Sequence, residues 1–238
     1  MDLQGKHLVV TGGSSGIGFA VAELALSYGA RVTLASRSVE KLEAAKVRLK
    51  GQVSTVQLDL GDAAQAESAF KAIGQYDYFV STAADLTYGP LATMDRAAIS
   101  RMIEAKIWGP VNLVQLGISN LSAGGAIVLF SGLAADRPAP GTVLVSAVNA
   151  AVEGMVRALA VELAPIRVNA ISPGVVETEG WGHMDAESRR AFFVNAASSL
   201  PVRHNGTPKD LAEATLFALT NQYLSGETLH VNGGGNLV

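Results

Sequence analysis

Four glycines within eight residues restrict the folds open to this chain more than any other segment; they stand in the run Thr11-Gly12-Gly13-Ser14-Ser15-Gly16-Ile17-Gly18. The residues before them, His7–Val10, form an apolar run that predicts a buried strand, and a helical pattern follows from Gly16 to about Tyr28. Such a turn lets the backbone approach a pyrophosphate at the helix N-terminus, where free N–H groups and the helix dipole favour an anion. The glycines alone would fit an ordinary tight turn, but their place between a strand and a helix favours a dinucleotide-binding unit.

The rest of the chain repeats this alternation of short β-branched runs and helical patterns. Six further strands are predicted, at Arg31–Ala35, Val53–Leu58, Tyr78–Val80, Ala126–Phe130, Arg167–Ile171 and Glu227–Val231. The alternation is typical of βαβ units around a buried parallel sheet. A chain of 238 residues, 49% of them hydrophobic, can bury one substantial core, and no repeat or linker interrupts it. We therefore expect an α/β fold in a single domain, residues 1–238, with a Rossmann-type doubly wound parallel sheet.

Composition excludes several classes of protein. The formal net charge of −3 argues against nucleic-acid binding, for which a basic stripe would be expected. The chain has no cysteine, so neither disulfides nor thiolate chemistry are available. No His, Asp and Glu residues stand at metal-ligand spacing, and we expect no metal site. The N-terminus lacks a signal-peptide pattern, and Gly, Pro or charged residues interrupt the longest apolar segments, so we expect a cytoplasmic protein without membrane contact.

The end of the second predicted strand indicates which dinucleotide would bind. An acidic residue there would bind the ribose 2′-hydroxyl of NAD, but this chain has Ser36-Arg37-Ser38. A guanidinium without a neighbouring carboxylate suits a 2′-phosphate, and Ser14 and Lys41 can add a hydroxyl and a charge. The alternative is that Arg37 is a solvated surface residue. The pattern favours NADP(H).

Two long predicted helices each carry one polar residue on an otherwise apolar face. In the first helix Lys106 falls near Met102 and Leu113, and in the second Asn149 falls near Val152. Because an unpaired buried polar group is costly, both side chains need partners.

These segments together resemble the short-chain dehydrogenase/reductase family over nearly the whole chain. The family's glycine spacing matches Gly12, Gly16 and Gly18, and its closing strand and turn match Val231-Asn232-Gly233-Gly234. The resemblance implies the strand order 3-2-1-4-5-6-7 and a homotetramer or homodimer.

The resemblance also implies a set of residues that bind NADP(H). These are Gly12, Ser14, Ser15, Gly16, Ile17, Gly18, Ser36, Arg37, Asp59, Leu60, Ala83, Pro173, Gly174 and Thr178. Within the set, Asp59-Leu60 matches the family's adenine contact, and Pro173-Gly174 with Thr178 matches the segment that holds the nicotinamide amide. One departure lies after the fourth strand, where the family's Asn-Ala-Gly is replaced by Ser81-Thr82-Ala83-Ala84-Asp85.

The family's catalytic residues are only partly matched. Ser131 matches the serine that orients the substrate carbonyl. Val145 and Asn149 stand where the family has the proton-donating Tyr and the Lys of Tyr-x-x-x-Lys, and Lys106 stands where it has an Asn. We hypothesise that Ser131, Lys106 and Asn149 form one polar cluster beside the cofactor, in which a desolvated Lys106 of lowered pKa supplies a proton. Alternatively, Lys106 pairs with a carboxylate such as Glu104, or extends to water.

Other residues could also donate a proton or shape the substrate pocket. Tyr88 and His183 lie in loops that border the pocket in relatives, whereas His204 is interpreted as structural. A substrate lid is expected at about residues 180–200. Its apolar residues (Trp181, Met184, Phe192 and Phe193) suggest an apolar pocket, although they could simply dock the lid.

The sequence thus predicts an atypical NADP(H)-dependent oxidoreductase that acts on a small, apolar carbonyl or alcohol. The main alternative is a non-catalytic NADP(H)-binding sensor or interaction protein. An isomerisation or dehalogenation is a third reading.

Overall fold

The computed structural model describes residues 2–82 and 84–238, apart from the side chain of His183. Within these residues seven parallel strands form one sheet in the order β3-β2-β1-β4-β5-β6-β7. The strands are β1 (His7–Thr11), β2 (Arg31–Ser36), β3 (Val53–Gln57), β4 (Tyr76–Ser81), β5 (Leu121–Phe130), β6 (Arg167–Pro173) and β7 (Thr228–Val231). The predicted fold class and strand order are confirmed.

Helices cover both faces of the sheet. They are α1 (Gly16–Ser27), α2 (Val39–Arg48), α3 (Ala63–Ile73), α4 (Arg96–Ile103), α5 (Gly109–Asn112), α6 (Val143–Glu162), α7 (Ala186–Ser199) and α8 (Pro208–Thr220). Alternate strand residues point to opposite faces. Val10, with its neighbours, packs against α1, α2 and α8, whereas Val9 and Ile127 pack against α3 and α6.

The first long predicted helix is not a regular α-helix. Between α4 and α5 the backbone widens into a π-helical turn, Glu104–Trp108, in which Gly109 N–H donates to the Glu104 carbonyl. Pro110 has no N–H to give to the carbonyl of Lys106, four residues earlier, which explains why the α-helical pattern fails there. A second π turn, Leu113–Gly117, follows α5. Lys106 lies in the first of these turns, and turns of this kind are frequent at functional sites.

Helix α6 is the central element of the candidate site. Its Val148, Val152 and Val156 are buried, and the last two pack against β5 and β6 in the hydrophobic core. In the part of the chain that the structure describes, α6 is the one helix whose length and apolar composition would let it cross a membrane. It contains Glu153, Gly154 and Arg157, residues of the kinds that were expected to interrupt the longest apolar segments.

Arg167, at the start of β6, holds the C-terminal end of α8. Its buried guanidinium donates to the carbonyls of Ala218 (3.1 Å), Leu219 (2.5 Å) and Asn221 (2.8 Å). We expect Arg167→Met to lower the free energy of unfolding by about 3 kcal/mol, because it leaves buried carbonyls without a donor. The melting temperature, followed by circular dichroism, should fall by about 6–12 °C. The exposed Arg190→Met is the matched control; equal melting of the two variants would contradict the prediction.

Candidate active site

The glycine-rich turn joins β1 to α1 at the carboxyl edge of the sheet. A Cβ atom added to Gly18 would lie 2.5 Å from both the Gly12 carbonyl oxygen and Thr82 Oγ1. Gly16 has a φ of +54°, a conformation that side chains rarely adopt. The sequence therefore uses glycine where the strand end and the first helical turn come closest, and this exposes the N–H groups that begin α1.

An anion already lies at this helix N-terminus. The Gly16 N–H donates to Oε2 of Glu179 over 3.1 Å. Glu179 opens a short 3₁₀ turn, Glu179–His183, after β6. The sequence gives no sign of this contact, because 163 positions separate Glu179 from Gly16. The Gly16 N–H at this helix N-terminus is thus accessible to a carboxylate oxygen, which is the kind of group that the glycine-rich turn is predicted to bind.

Arg37 follows β2 at the same edge, and 61% of its side chain is exposed. Its Nη1 lies 3.3 Å from Asp85 Oδ2, and Arg101 Nε lies 3.9 Å from the same oxygen. The prediction that Arg37 has no carboxylate beside it was therefore wrong for the folded chain, because the loop after β4 brings Asp85 next to it. Such an exposed pair contributes only about 0–1 kcal/mol, so Arg37 remains available to a stronger anion.

Ser36 Oγ accepts from Ser38 N–H, and Ser38 caps α2 by accepting from Lys41 N–H.

The other predicted cofactor-binding residues lie along this edge. Asp59 Oδ1 accepts from Gly61 N–H in a tight turn, and the carbonyl of the buried Leu60 accepts from Asn112 Nδ2. Gly174, after Pro173, comes so close to Asn232 that an added Cβ would lie 2.9 Å from Asn232 Cα.

Four further predicted positions lie at the N-terminus of α1 or face it. Thr178 faces the turn, because its Cβ lies 3.5 Å from the position of a Cβ on Gly16. Ser15 is the N-cap residue of α1, and Ile17 packs against the core. Ser14 is half-buried within the turn. Ala83 lies outside the described residues.

Lys106 is buried, with 5% of its surface exposed. Its Nζ donates to the Phe130 carbonyl at the end of β5 over 2.7 Å. Burial lowers the pKa of the Lys106 ammonium to about 8. No ion pair of Lys106 is found among the described residues, so the predicted alternatives of a Glu104 pair or extension to water do not describe its contacts.

Ser131 and Asn149 lie beside the same strand end. Ser131 Oγ donates to Glu153 Oε1 over 2.6 Å and lies 3.3 Å from the Asn149 backbone carbonyl. Asn149 is 2% exposed, and its Oδ1 has no hydrogen-bond partner among the described residues. A Cβ on Gly132 would lie 2.8 Å from Asn149 Nδ2, so the amide faces the segment that follows β5.

The structure thus gathers the three predicted catalytic residues around Phe130–Gly132. Lys106 donates to the backbone carbonyl of Phe130 and Ser131 Oγ lies beside that of Asn149, so backbone carbonyls link the three residues. The Ser131 hydroxyl is turned toward Glu153, which the sequence does not indicate as a site residue. Val145, one helical turn before Asn149, is buried at 2% exposure and adds no polar atom.

The segment predicted as a lid contains the 3₁₀ turn and α7. Its aromatic rings pack on one another, with centroids 4.7 Å apart for Trp181–Phe192 and 5.7 Å for Phe192–Phe193. The Trp181 indole N–H donates to the Val176 carbonyl over 2.9 Å. These contacts favour the reading in which the aromatic residues dock the segment. Tyr88 is 58% exposed, and the side chain of His183 lies outside the described residues.

Comparisons with known proteins agree with this architecture. A family model described as Enoyl-(Acyl carrier protein) reductase matches residues 12–236. The short-chain dehydrogenase/reductase ucsE of Acremonium sp is 34% identical over 98% of this chain and 96% of its own length.

Two solved structures are also similar. A small-chain dehydrogenase in complex with NADPH is 35% identical, with a TM-score of 0.87 over 98% of this chain and 99% of that one. A short chain oxidoreductase from Pseudomonas aeruginosa PAO1, described as containing an atypical catalytic center, is 32% identical, with a TM-score of 0.91 over 98% of both chains. With these matches, the glycine-rich turn and the order of its seven strands, the chain belongs to the short-chain dehydrogenase/reductase family.

Proposed function

We propose that this protein is an NADP(H)-dependent oxidoreductase that acts on a small, apolar carbonyl or alcohol, with Lys106, Ser131 and Asn149 in place of a Tyr-x-x-x-Lys centre. The observation that carries the proposal is the buried Lys106, without a carboxylate partner in the described chain, at the end of β5. The NADPH complex of one relative and the atypical catalytic center named for another support the two halves of the proposal.

The residues of the carboxyl edge fit a dinucleotide phosphate. The Gly16 N–H already binds a carboxylate, and the close backbone approach at Gly18 leaves no room for a side chain. Arg37 would bind the 2′-phosphate, because a charge-assisted bond to phosphate is stronger than its exposed pair with Asp85. When bound, the nicotinamide supplies or accepts the hydride.

Lys106 then serves as the proton donor. With a pKa of about 8 it is about nine-tenths protonated at neutral pH. The Phe130 carbonyl fixes the position of Nζ, so the ammonium is held in place for donation. The unpartnered Oδ1 of Asn149 can accept from a hydroxyl of the ribose or the substrate.

Arg37→Ala is expected to weaken NADPH binding by about 10–100-fold, the value of a charged hydrogen-bonded contact. Binding of NADH, which lacks the 2′-phosphate, should stay within about threefold. Fluorescence titration of both cofactors measures the two affinities. Arg101→Ala is the matched control, because Arg101 approaches the same Asp85 oxygen. An equal loss of affinity for NADPH and NADH in Arg37→Ala would show that Arg37 does not bind the 2′-phosphate.

Glu179→Gln is expected to strengthen NADPH binding by about 2–5-fold. The Glu179 carboxylate and a phosphate oxygen require the same Gly16 N–H, and a neutral amide competes less well at a helix N-terminus. The same titration checks the prediction, with Glu187→Gln, in the first turn of α7, as the control. An unchanged or weaker affinity in Glu179→Gln would contradict it.

The function itself is tested by NADPH oxidation over a panel of carbonyls that includes activated diketones and quinones. Turnover that falls in Lys106→Met and in Ser131→Ala supports the proposal. Tight NADPH binding without turnover supports the sensor. Product formation without net cofactor oxidation supports isomerisation or dehalogenation.

A further inference from the structure

Three polar residues form a row across the carboxyl ends of β5, β6 and β7. Ser172 is the register partner of His230, and Ser131 follows Phe130, the partner of Ile171. Because side chains alternate along a strand, Ser131, Ser172 and His230 lie on the same face of the sheet. That face is the one covered by α6, since Leu129 and Ala170, two positions earlier on their strands, pack against α6.

Two carboxylates lie over this row. Glu153 comes from α6, and Ser131 donates to it over 2.6 Å. Asp136 comes from the loop between β5 and α6, and its Oδ2 lies 2.9 Å from His230 Nε2. A carboxylate oxygen of Asp136, a carboxylate oxygen of Glu153 and a ring nitrogen of His230 lie within 4.8 Å of one another.

Ser172 provides a second, independent indication of a ligand. It is 0% exposed, and its Oγ has no hydrogen-bond partner among the described residues. Its position in the row is between Ser131 and His230, on the face of the sheet that α6 covers. A buried hydroxyl without a partner is destabilising, and the water bound to an ion at this site would supply a partner.

We propose that Asp136, Glu153 and His230 form a site for a divalent transition-metal cation, of which Zn²⁺ is the best match. Two carboxylates and one imidazole are ordinary ligands of this ion. A tetrahedral ion with bonds of about 2.1 Å separates its ligand atoms by about 3.4 Å, so small side-chain shifts suffice. The side chains of His230 and Asp136 are 33% and 38% exposed, which gives the ion a route in from solvent.

The sequence predicts no metal site, and the proposed Zn²⁺ site differs from that prediction. The sequence could not indicate it, because His230 and Asp136 are 94 positions apart and meet only when β7 is placed beside β6. The site does not depend on oxidoreductase activity. It would tie the loop after β5 to α6 and β7.

Zn²⁺ titration of the metal-free full-length protein by isothermal calorimetry tests the proposal. We expect one Zn²⁺ per chain, bound in the micromolar range or tighter, and a higher melting temperature with Zn²⁺ than with Mg²⁺. His230→Asn and Glu153→Gln should each weaken binding at least tenfold. Glu153→Gln keeps an oxygen acceptor for Ser131, so loss of binding there is not a loss of that hydrogen bond.

His204→Asn and Glu162→Gln are the matched controls, since His204 is exposed and Glu162 lies at the end of the same helix. Circular dichroism melts without metal establish that each variant is folded. The absence of saturable Zn²⁺ binding by the wild-type protein would overturn the proposal. So would equal Zn²⁺ affinity in the wild type, His230→Asn and Glu153→Gln. Neither result depends on NADPH turnover, so failure of this site leaves the proposed function standing.

Discussion

Lys106→Met lowers the turnover of carbonyl substrates by at least about 100-fold, because it removes the proposed proton donor. NADPH affinity should change by less than about threefold, since Lys106 donates to the Phe130 carbonyl and the predicted phosphate-binding residues lie elsewhere. Stopped-flow or steady-state NADPH oxidation measures kcat, and fluorescence titration measures the affinity. The exposed Lys46→Met is the matched control. Unchanged kcat in Lys106→Met would remove Lys106 from the mechanism.

The pH dependence gives this prediction a second readout. Donation requires the protonated amine, whose pKa is about 8, so the rate of carbonyl reduction should decline as pH rises through about 8. Alcohol oxidation requires the neutral amine and should rise over the same range. Profiles of kcat/KM from about pH 6 to 10 measure both, and a flat reduction profile would contradict the assignment.

Stability separates a functional lysine from a structural one. The pKa of Lys106 is about 8 in the folded chain and 10.5 in its ordinary, unfolded environment. Between these values the unfolded chain binds more protons, so the wild-type protein gains stability as pH rises from about 8 to 10.5. At neutral pH Lys106→Met removes the cost of the buried charge but leaves the Phe130 carbonyl without its donor. We therefore expect the free energy of unfolding of the variant, relative to the wild type, to be constant below about pH 8 and to fall as pH rises above it, as urea melts would measure.

Gly18→Ala is the second change with a large expected effect. The added Cβ would lie 2.5 Å from the Gly12 carbonyl oxygen and from Thr82 Oγ1, so the first turn of α1 must move away from the end of β1. The N–H groups that would bind phosphate move with it, and we expect NADPH affinity to fall at least about 100-fold.

Gly124→Ala is the matched control, because a Cβ there meets nothing within 4 Å. Fluorescence titration gives the affinities, and circular dichroism establishes that both variants are folded. NADPH affinity in Gly18→Ala equal to that of Gly124→Ala would show that the turn does not bind the cofactor.

The fold could be predicted from the sequence because its signals are local. The glycine-rich turn and the alternation of strands and helices depend on neighbouring residues, and helical periodicity alone placed Lys106 and Asn149 on buried faces. The π turn around Lys106 departs from the continuous helix that the apolar periodicity predicts, since Pro110 cannot donate to the carbonyl of Lys106.

The contacts that define the candidate site could not be predicted in the same way. Glu179 meets Gly16, Asp85 meets Arg37 and His230 meets Asp136 only because the strands are ordered as they are. The direction of the Ser131 hydroxyl was also beyond the sequence, because either neighbour of a strand end can face the site. A Cβ on Gly132 would lie 2.8 Å from Asn149 Nδ2, whereas the Ser131 hydroxyl donates to Glu153.

The hydrogen bond between Glu179 and Gly16 also affects which anions the protein can distinguish. Free phosphate or sulfate would have to displace a tethered carboxylate with a single contact at the helix N-terminus. In the proposed complex a dinucleotide would add the Arg37 contact and those of its other groups, so it would displace the carboxylate more readily than a small anion would. On this proposal, the Glu179 side chain discriminates against the abundant inorganic anions of a cell.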